Sequence, residues 1–461
     1  MSIIASYIVP HPPLIIPEIG GGQERGISKT INAFDNVARQ IGEIEPETIV
    51  VVTSHSVMYK DYIHISPGEG ARGDFGDYGY KNVAIQTTYD TGLADEIAYK
   101  AKKHDIYAGF LGEKNKKLDH GTMIPLYFIN KYYKDYKTIR LSISGLSFLE
   151  HYEFGKCVAE AIDDIERKVV LIASGDLSHM LKEKGPYGYK EEGPIYDREV
   201  TKAMDSGDFL KFLEFSESFC EEAAECGHRT FLIMAGALDG KSVDSKLHSY
   251  EGPFGVGYGV ASFIVNGNDK NRHFDKVFLN KENQRIKALK AQEDEYVRLA
   301  RKTLENYVIN YKTIDKPDDL SKELLEDKAG VFVSLELDGN LRGCIGTISP
   351  TTSSIADEII QNAISAGTKD PRFPPVSEEE LDRLVYSVDV LGKAEKIDSI
   401  DELDTKEYGV IVTKGYKRGL LLPNLDGVDR VEEQVSIALS KAGISEYEDY
   451  QLERFQVVRH T

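Results

Sequence analysis

The stretch Glu47-Thr-Ile-Val-Val-Val-Thr-Ser-His55-Ser constrains this chain more than any other, because a β-branched run ends abruptly in a small polar pair and a histidine. From Thr48 to Thr53 the run is short and nearly continuous in apolar character, the pattern of a strand covered on both faces. His55 then emerges at the strand's C-terminal edge, where open α/β sheets bind their ligands. The arrangement recurs twice. Ser2-Ile-Ile-Ala-Ser-Tyr-Ile-Val-Pro-His11 delivers a histidine just past a strand, and Val169-Val-Leu-Ile-Ala-Ser-Gly-Asp176-Leu-Ser-His179 delivers an aspartate and a histidine past another.

The rest of the first half alternates between the two helix and strand periods. Helices are predicted at Ile27 to Ile44, Leu93 to Lys103, Phe148 to Ile165, Pro194 to Met204 and Ser216 to Ala224. Another opens at Glu225-Cys226-Gly227-His228-Arg229 and runs through Leu238. Strands are predicted at Ile3 to Val9, Thr48 to Thr53, Ile106 to Leu111, Thr138 to Ile143 and Lys168 to Ser174, with a closing pair at Ser245 to Tyr250 and Tyr258 to Val265. Such βαβα alternation gives an α/β fold with a mostly parallel sheet and helices on both faces. Residues 59 to 82, rich in Gly, Tyr and Asp, read as a long loop over the sheet edge and a candidate lid. The Gly20-Gly21-Gly22 triplet lacks the strand-to-helix context of a dinucleotide site and is read as a flexible loop.

At 461 residues the chain exceeds one ordinary domain. The polar, turn-forming Gly267-Asn-Asp-Lys-Asn-Arg-His273 marks a boundary, so the domains are read as 1–266 and 288–461 with a linker at 267–287. The second is a smaller α+β unit: a charged helix near Ala291 to Tyr311, a strand at Gly330 to Leu337, a turn at Leu341-Arg342-Gly343-Cys344-Ile345-Gly346, a helix at Ile355 to Ala366 and a strand at Leu384 to Leu391.

Composition excludes several classes. With 41% hydrophobic and 29% charged residues the chain reads as globular, and it has no apolar run of about 18 residues to span a bilayer. Without a secretory signal pattern at its start, a cytoplasmic protein is expected. Four scattered cysteines, Cys157, Cys220, Cys226 and Cys344, form no C-x-x-C pair and are read as reduced thiols rather than a disulfide framework or zinc ribbon. A net charge of −20 disfavours nucleic acid as a partner, since phosphate contact needs clustered Lys and Arg.

Two neutral imidazoles and one carboxylate on a single face, with open positions beside them, is the arrangement that holds non-haem Fe(II). His11 and His55 are the first two ligands expected. The third comes from Glu225-Cys226 at the mouth of a helix, whose dipole stabilises either a carboxylate or a thiolate. His179 is read either as a third ligand or, free beside the metal, as the natural acid/base, with Asp176 orienting it or capping the next turn. His120 suits a substrate-facing place or a plain helix start, and His228 and Arg229 suit packing or the surface as readily as substrate contact.

Val9-Pro-His-Pro-Pro-Leu, Thr53-Ser-His-Ser, Asp119-His-Gly-Thr with Ile124-Pro-Leu, and Ser174-Gly-Asp-Leu-Ser-His together resemble the LigB-like class III extradiol dioxygenase superfamily, which includes the Memo proteins. The resemblance covers about residues 1 to 266. It implies that His11 and His55 bind Fe(II), that a late glutamate completes the site, that His179 is the acid/base and that His120 meets substrate or oxygen. At the late ligand the chain departs from the ring-cleaving pattern: Cys226-Gly-His-Arg is more similar to a Memo segment in which cysteine takes the ligand place. The second half resembles an AMMECR-type domain over about residues 288 to 461, in Leu341-Arg-Gly-Cys-Ile-Gly346, Asp370-Pro-Arg-Phe-Pro-Pro375 and Gly419-Leu-Leu-Leu-Pro-Asn424. There Cys344 with Arg342 is read either as a small anion or thiol site or as a glycine turn with a buried cysteine.

Both halves in one chain resemble the AmmeMemoRadiSam system proteins, a family name that implies a link to a radical SAM protein. The function implied is a non-haem Fe(II) oxidoreductase of extradiol type acting on a catechol-like or other small substrate, with another divalent metal as the variant. The alternative is a non-dioxygenase metal-binding or redox scaffold serving a radical SAM partner. Expected partners are a small-molecule substrate, that radical SAM protein and further copies of the chain; neither membrane nor nucleic acid is expected.

Overall fold

The computed structural model describes every residue except Met1, Glu113, Asn115, Lys116 and Asp426. The chain divides into two compact units, Met1–Asn280 and Lys281–Thr461. The first is a layered α/β unit, and its strands are the continuous apolar runs of the sequence. Its elements are β1 (Ile3–Val9), α1 (Ser28–Ile44), β2 (Thr48–Thr53), α2 (Thr91–Lys103), α3 (His120–Ile129), β3 (Lys137–Ser142), α4 (Phe148–Ile165), β4 (Val169–Ser174), α5 (His228–Ala237), β5 (Lys241–Glu251) and β6 (Tyr258–Asn268).

The strands form one sheet in the order β3-β2-β4-β1-β6-β5. The first four are parallel, and β6 and β5 join antiparallel at the β1 side. All six residues of β2 and of β4 are buried, so these central strands carry apolar side chains on both faces. Val50, Val52, Leu171 and Ala173 enter one core with α2, α4 and α5. Ile49, Val51, Val170 and Ile172 enter the other with α1 and α3. In α1 the buried Phe34, Val37, Ala38 and Ile41 recur at helical spacing, and each large apolar side chain buried this way is worth about 1.5–3 kcal/mol. A capping box between Ser147 and Glu150 starts α4.

Register decides where the chemistry lies. Val9 pairs with Ser174, and Ser174 with Thr53, so β1, β4 and β2 end level with one another. His11, Asp176 and His55 are each the second residue beyond their strand. They therefore converge on one sheet edge.

Two expectations for this unit are corrected. Residues 59 to 82 are not a long loop: Gly70–Phe75 pairs antiparallel with Tyr80–Thr88 as a hairpin. Its glycines misled because one of them serves strand pairing; a Cβ at Gly70 would sit 2.4 Å from the Thr87 carbonyl oxygen. The strand predicted at Ile106 to Leu111 shrinks to Ala108–Gly109, paired with Ile63–His64 in a separate small sheet. The stretch 267–287, read as linker, carries most of a helix at Phe274–Gln292.

In the second unit β7 (Val331–Leu337), β8 (Asn340–Gly346), β9 (Leu384–Leu391) and β10 (Val457–His460) form an antiparallel sheet in the order β8-β7-β9-β10, against which α6 (Ile355–Thr368) packs. A second antiparallel sheet orders Glu395–Ile397, Gln451–Phe455, Gly409–Lys414 and Lys417–Leu421. Leu341 to Gly346, expected as a turn, lies within β8. Gly343 is there because a Cβ would meet the Ala366 carbonyl oxygen of α6 at 2.3 Å. The Arg342 guanidinium is engaged by Glu380 at 2.6 and 3.1 Å, while Cys344 accepts from Ser334 Oγ at 3.2 Å.

Candidate metal centre

His11 is buried beyond β1, and its backbone N–H donates to Asp176 Oδ1 at 2.8 Å. Its ring state follows from a hydrogen-bond chain that begins at Pro125 inside α3. A proline there has no N–H for the carbonyl one turn back, which leaves the Gly121 oxygen open. Ser174 Oγ fills it, donating at 2.6 Å. With its single proton committed, Ser174 Oγ can only accept at 3.0 Å from His11 Nδ1–H. Nε2 of His11 is thus left as a lone pair aimed into the site.

His55 Nε2 lies 3.0 Å from that lone pair, and Cys226 Sγ lies 3.4 Å from it. A divalent cation about 2.0–2.1 Å from nitrogen and 2.3 Å from sulfur sets N–N separations of about 3.0–3.4 Å and N–S separations of about 3.1–3.6 Å. The three side chains fit such an ion, and their ligand-capable atoms all lie within 4.8 Å of one another. Asp176, His179 and Cys226 form a second group that meets the same limit.

Cys226 reaches the site because two glycines let their segments touch. A Cβ on Gly175 would stand 2.2 Å from the Gly227 Cα, so the turn after β4 and the entry to α5 pass in backbone contact. Glu225 is turned elsewhere: its carboxylate accepts the His228 backbone N–H at the start of α5, and it belongs to neither ligand group.

His120, the first residue of α3, places its ring 4.0 Å from that of His55 and 5.4 Å from that of His11. Asp119 anchors the helix start, accepting from Thr53 Oγ1 at 2.8 Å, Thr122 N at 2.9 Å and Thr122 Oγ1 at 2.9 Å, with buried Arg140 3.4 Å away. His179 stacks on Tyr187 with ring centroids 4.9 Å apart, and its Nε2 is buried with no hydrogen-bond partner among the described residues. A cavity of about 370 Å³ is lined by His55 and His120 of this cluster and by Asp74, Tyr78, Lys117 and Arg140 among others.

The electrostatics favour neutral imidazoles. Burial, then the neighbouring His55, His120 and His179, holds His11 well below the usual histidine range. Burial, then His55, lowers both His120 and His179 to about 4. Burial, then the Asp176 and Glu225 carboxylates, pushes the Cys226 thiol well up. Burial raises Asp176 and Glu225 to about 7 each. Added positive charge beside this thiol, such as that of a cation, would favour its thiolate form.

His228 lies in the core: Nε2–H donates to the Phe212 carbonyl at 2.8 Å and Nδ1 accepts from Tyr196 at 3.0 Å. Arg229 pairs with Glu217 at 2.8 Å. Sequence reasoning missed Ser174, Arg140, Tyr187 and the acidic hairpin residues Asp74 and Asp77. Only Ser174 had a local signal, as the last residue of a strand level with two histidine-bearing strand ends.

The family model described as the catalytic LigB subunit of aromatic ring-opening dioxygenase matches residues 5–261, and that of AMMECR1 matches residues 297–460. A Clostridium acetobutylicum protein is 43% identical, covering 100% of this chain and 99% of its own length. A Thermotoga maritima protein is 52% identical over 36% of this chain and 98% of its own. Among solved structures, an uncharacterised protein from Pyrococcus horikoshii shares 36% identity over 36% of this chain and 88% of its own, with a TM-score of 0.34.

Proposed function

The chain belongs to the family of the catalytic LigB subunit of aromatic ring-opening dioxygenase and carries an AMMECR1 domain after it, and from this we propose that it is a metal-dependent oxidoreductase of extradiol-dioxygenase type. His11, His55 and Cys226 hold Fe(II), and the substrate is catechol-like or another small molecule that fits the cavity beside them. The observation that carries the reading is the His11 lone pair, fixed by Ser174 and facing His55 Nε2 at 3.0 Å and Cys226 Sγ at 3.4 Å.

A bound Fe(II) supplies Lewis acidity and one-electron chemistry toward O₂ at this spot. The chain's own groups do the rest. His179 is neutral, its Nε2 is unpartnered among the described residues, and its plane is held by Tyr187; it accepts the proton of a substrate hydroxyl. His120 faces the cavity from the start of α3 and contacts substrate there, and the Asp119 anchors keep its backbone fixed.

A second reading is favoured by the thiol in the third place. With Glu225 turned to the α5 backbone, the donor set is softer than two imidazoles and a carboxylate. That set suits a metal-binding redox scaffold working with a radical SAM partner. Oxygen uptake coupled to loss of added catechols, by anaerobically Fe(II)-reconstituted protein, separates the two. Stoichiometric consumption that is lost in His179→Gln supports the dioxygenase reading. Retained iron with no oxygen-dependent consumption of any catechol supports the scaffold.

A further inference from the structure

We propose that the same cluster carries a second, weaker cation position formed by Asp176, His179 and Cys226, with Cys226 shared between the two positions, and that filling it withdraws His179 from proton transfer. The proposal rests on the proposed function for its inhibitory consequence, and on the first metal position for the shared thiolate.

Three separate observations place the position. The ligand-capable atoms of the three side chains lie within 4.8 Å of one another, the same limit met by His11, His55 and Cys226. Asp176 is 7% exposed, and no Lys or Arg pairs with it among the described residues; the backbone N–H of His11 takes one oxygen at 2.8 Å. A carboxylate offers about four acceptor sites, so it retains donor capacity toward a cation. A buried carboxylate without a counter-charge is costly, and a cation relieves that cost. His179 Nε2 is likewise buried and unpartnered among the described residues, while Tyr187 restrains its ring.

The donor set of carboxylate, imidazole and thiol suits borderline-soft divalent ions, Zn²⁺ above all, and excludes Mg²⁺ and Ca²⁺, which take oxygen. Two cations sharing one thiolate repel each other. The second ion therefore binds after the first and more weakly. The Gly175–Gly227 contact holds the segments bearing Asp176 and Cys226 against each other, and the stack on Tyr187 holds the His179 ring beside them. Once His179 Nε2 is a ligand it cannot accept a substrate proton. Excess zinc then inhibits without displacing the first metal.

Metal-free full-length protein is titrated anaerobically with Co²⁺ and with Zn²⁺ in competition with a chromophoric chelator, following thiolate-to-cobalt charge-transfer absorption. The wild type is expected to bind two equivalents, the second more weakly. Asp176→Asn, which keeps an oxygen for the His11 N–H, and His179→Gln each bind one, with the tight equivalent and its thiolate band retained. A single equivalent that survives both substitutions and is lost in His11→Gln and His55→Gln overturns the second position and leaves the first standing. A single equivalent lost in Asp176→Asn or His179→Gln but kept in His11→Gln overturns both assignments, as does no bound metal at all.

Discussion

Replacing Ser174 with alanine tests the hydrogen-bond chain that orients His11. The hydroxyl is fully buried, accepts from His11 Nδ1–H at 3.0 Å and donates to the Gly121 carbonyl at 2.6 Å. Its loss leaves two buried polar groups without a partner, at about 1–3 kcal/mol each, so the variant is expected to lose about 2–6 kcal/mol of stability. It also frees the imidazole to place its proton on Nε2, the atom that faces the metal position. Removing the partner that fixes a ligating histidine costs about 10–100-fold in metal affinity, or about 1.4–2.8 kcal/mol. Affinity is read by Fe(II) competition with a chelator under anaerobic conditions, and stability by urea denaturation followed by circular dichroism. A folded Ser174→Ala protein that binds Fe(II) as tightly as the wild type refutes the tautomer argument.

Other perturbations bear on the rest of the first unit. Burial raises Asp197 to about 7. Its contribution to stability is therefore fully present below about pH 4 and lost as pH rises through about 7, a change of about 4 kcal/mol for about three pKa units. Asp197→Asn, which can still accept from Ser178 N and whose amide N–H can meet the Tyr250 oxygen that now donates to the carboxylate, is expected to flatten that decline in urea melts of metal-free protein at pH 5 and pH 7.5. Gly175→Ala forces its Cβ to within 2.2 Å of the Gly227 Cα; the thiolate-to-cobalt band is expected to vanish, because Cys226 is pushed from His11. Glu225→Gln keeps an acceptor for the His228 N–H, so metal content is expected to stay at the wild-type level, and loss of metal would return Glu225 to the ligand set.

The placement of His11, His55 and Asp176 at one sheet edge was legible because each follows an apolar run whose burial on both faces leaves one possible direction of exit. What could not be read was any position set by contacts between distant segments. Ser174 becomes informative only when Gly121, more than fifty residues away in sequence, presents a carbonyl left open by Pro125. Glu225 and Cys226 were indistinguishable in sequence because both precede α5, and which of the two side chains faces His11 turns on how Gly227 packs against Gly175. Glycine density misled twice. At Gly70 and Gly343 the missing side chain admits a neighbouring carbonyl to a strand, whereas a sequence reader sees a loop or a turn.

The most direct test of the metal centre is the metal content of anaerobically purified, Fe(II)-reconstituted protein, with wild type set against His11→Ala, His55→Ala and Cys226→Ser. At least one tightly held iron per wild-type chain, lost from each variant while the fold is retained, is the expected result. Wild-type protein that retains no metal, or variants that keep the tight iron, would contradict it.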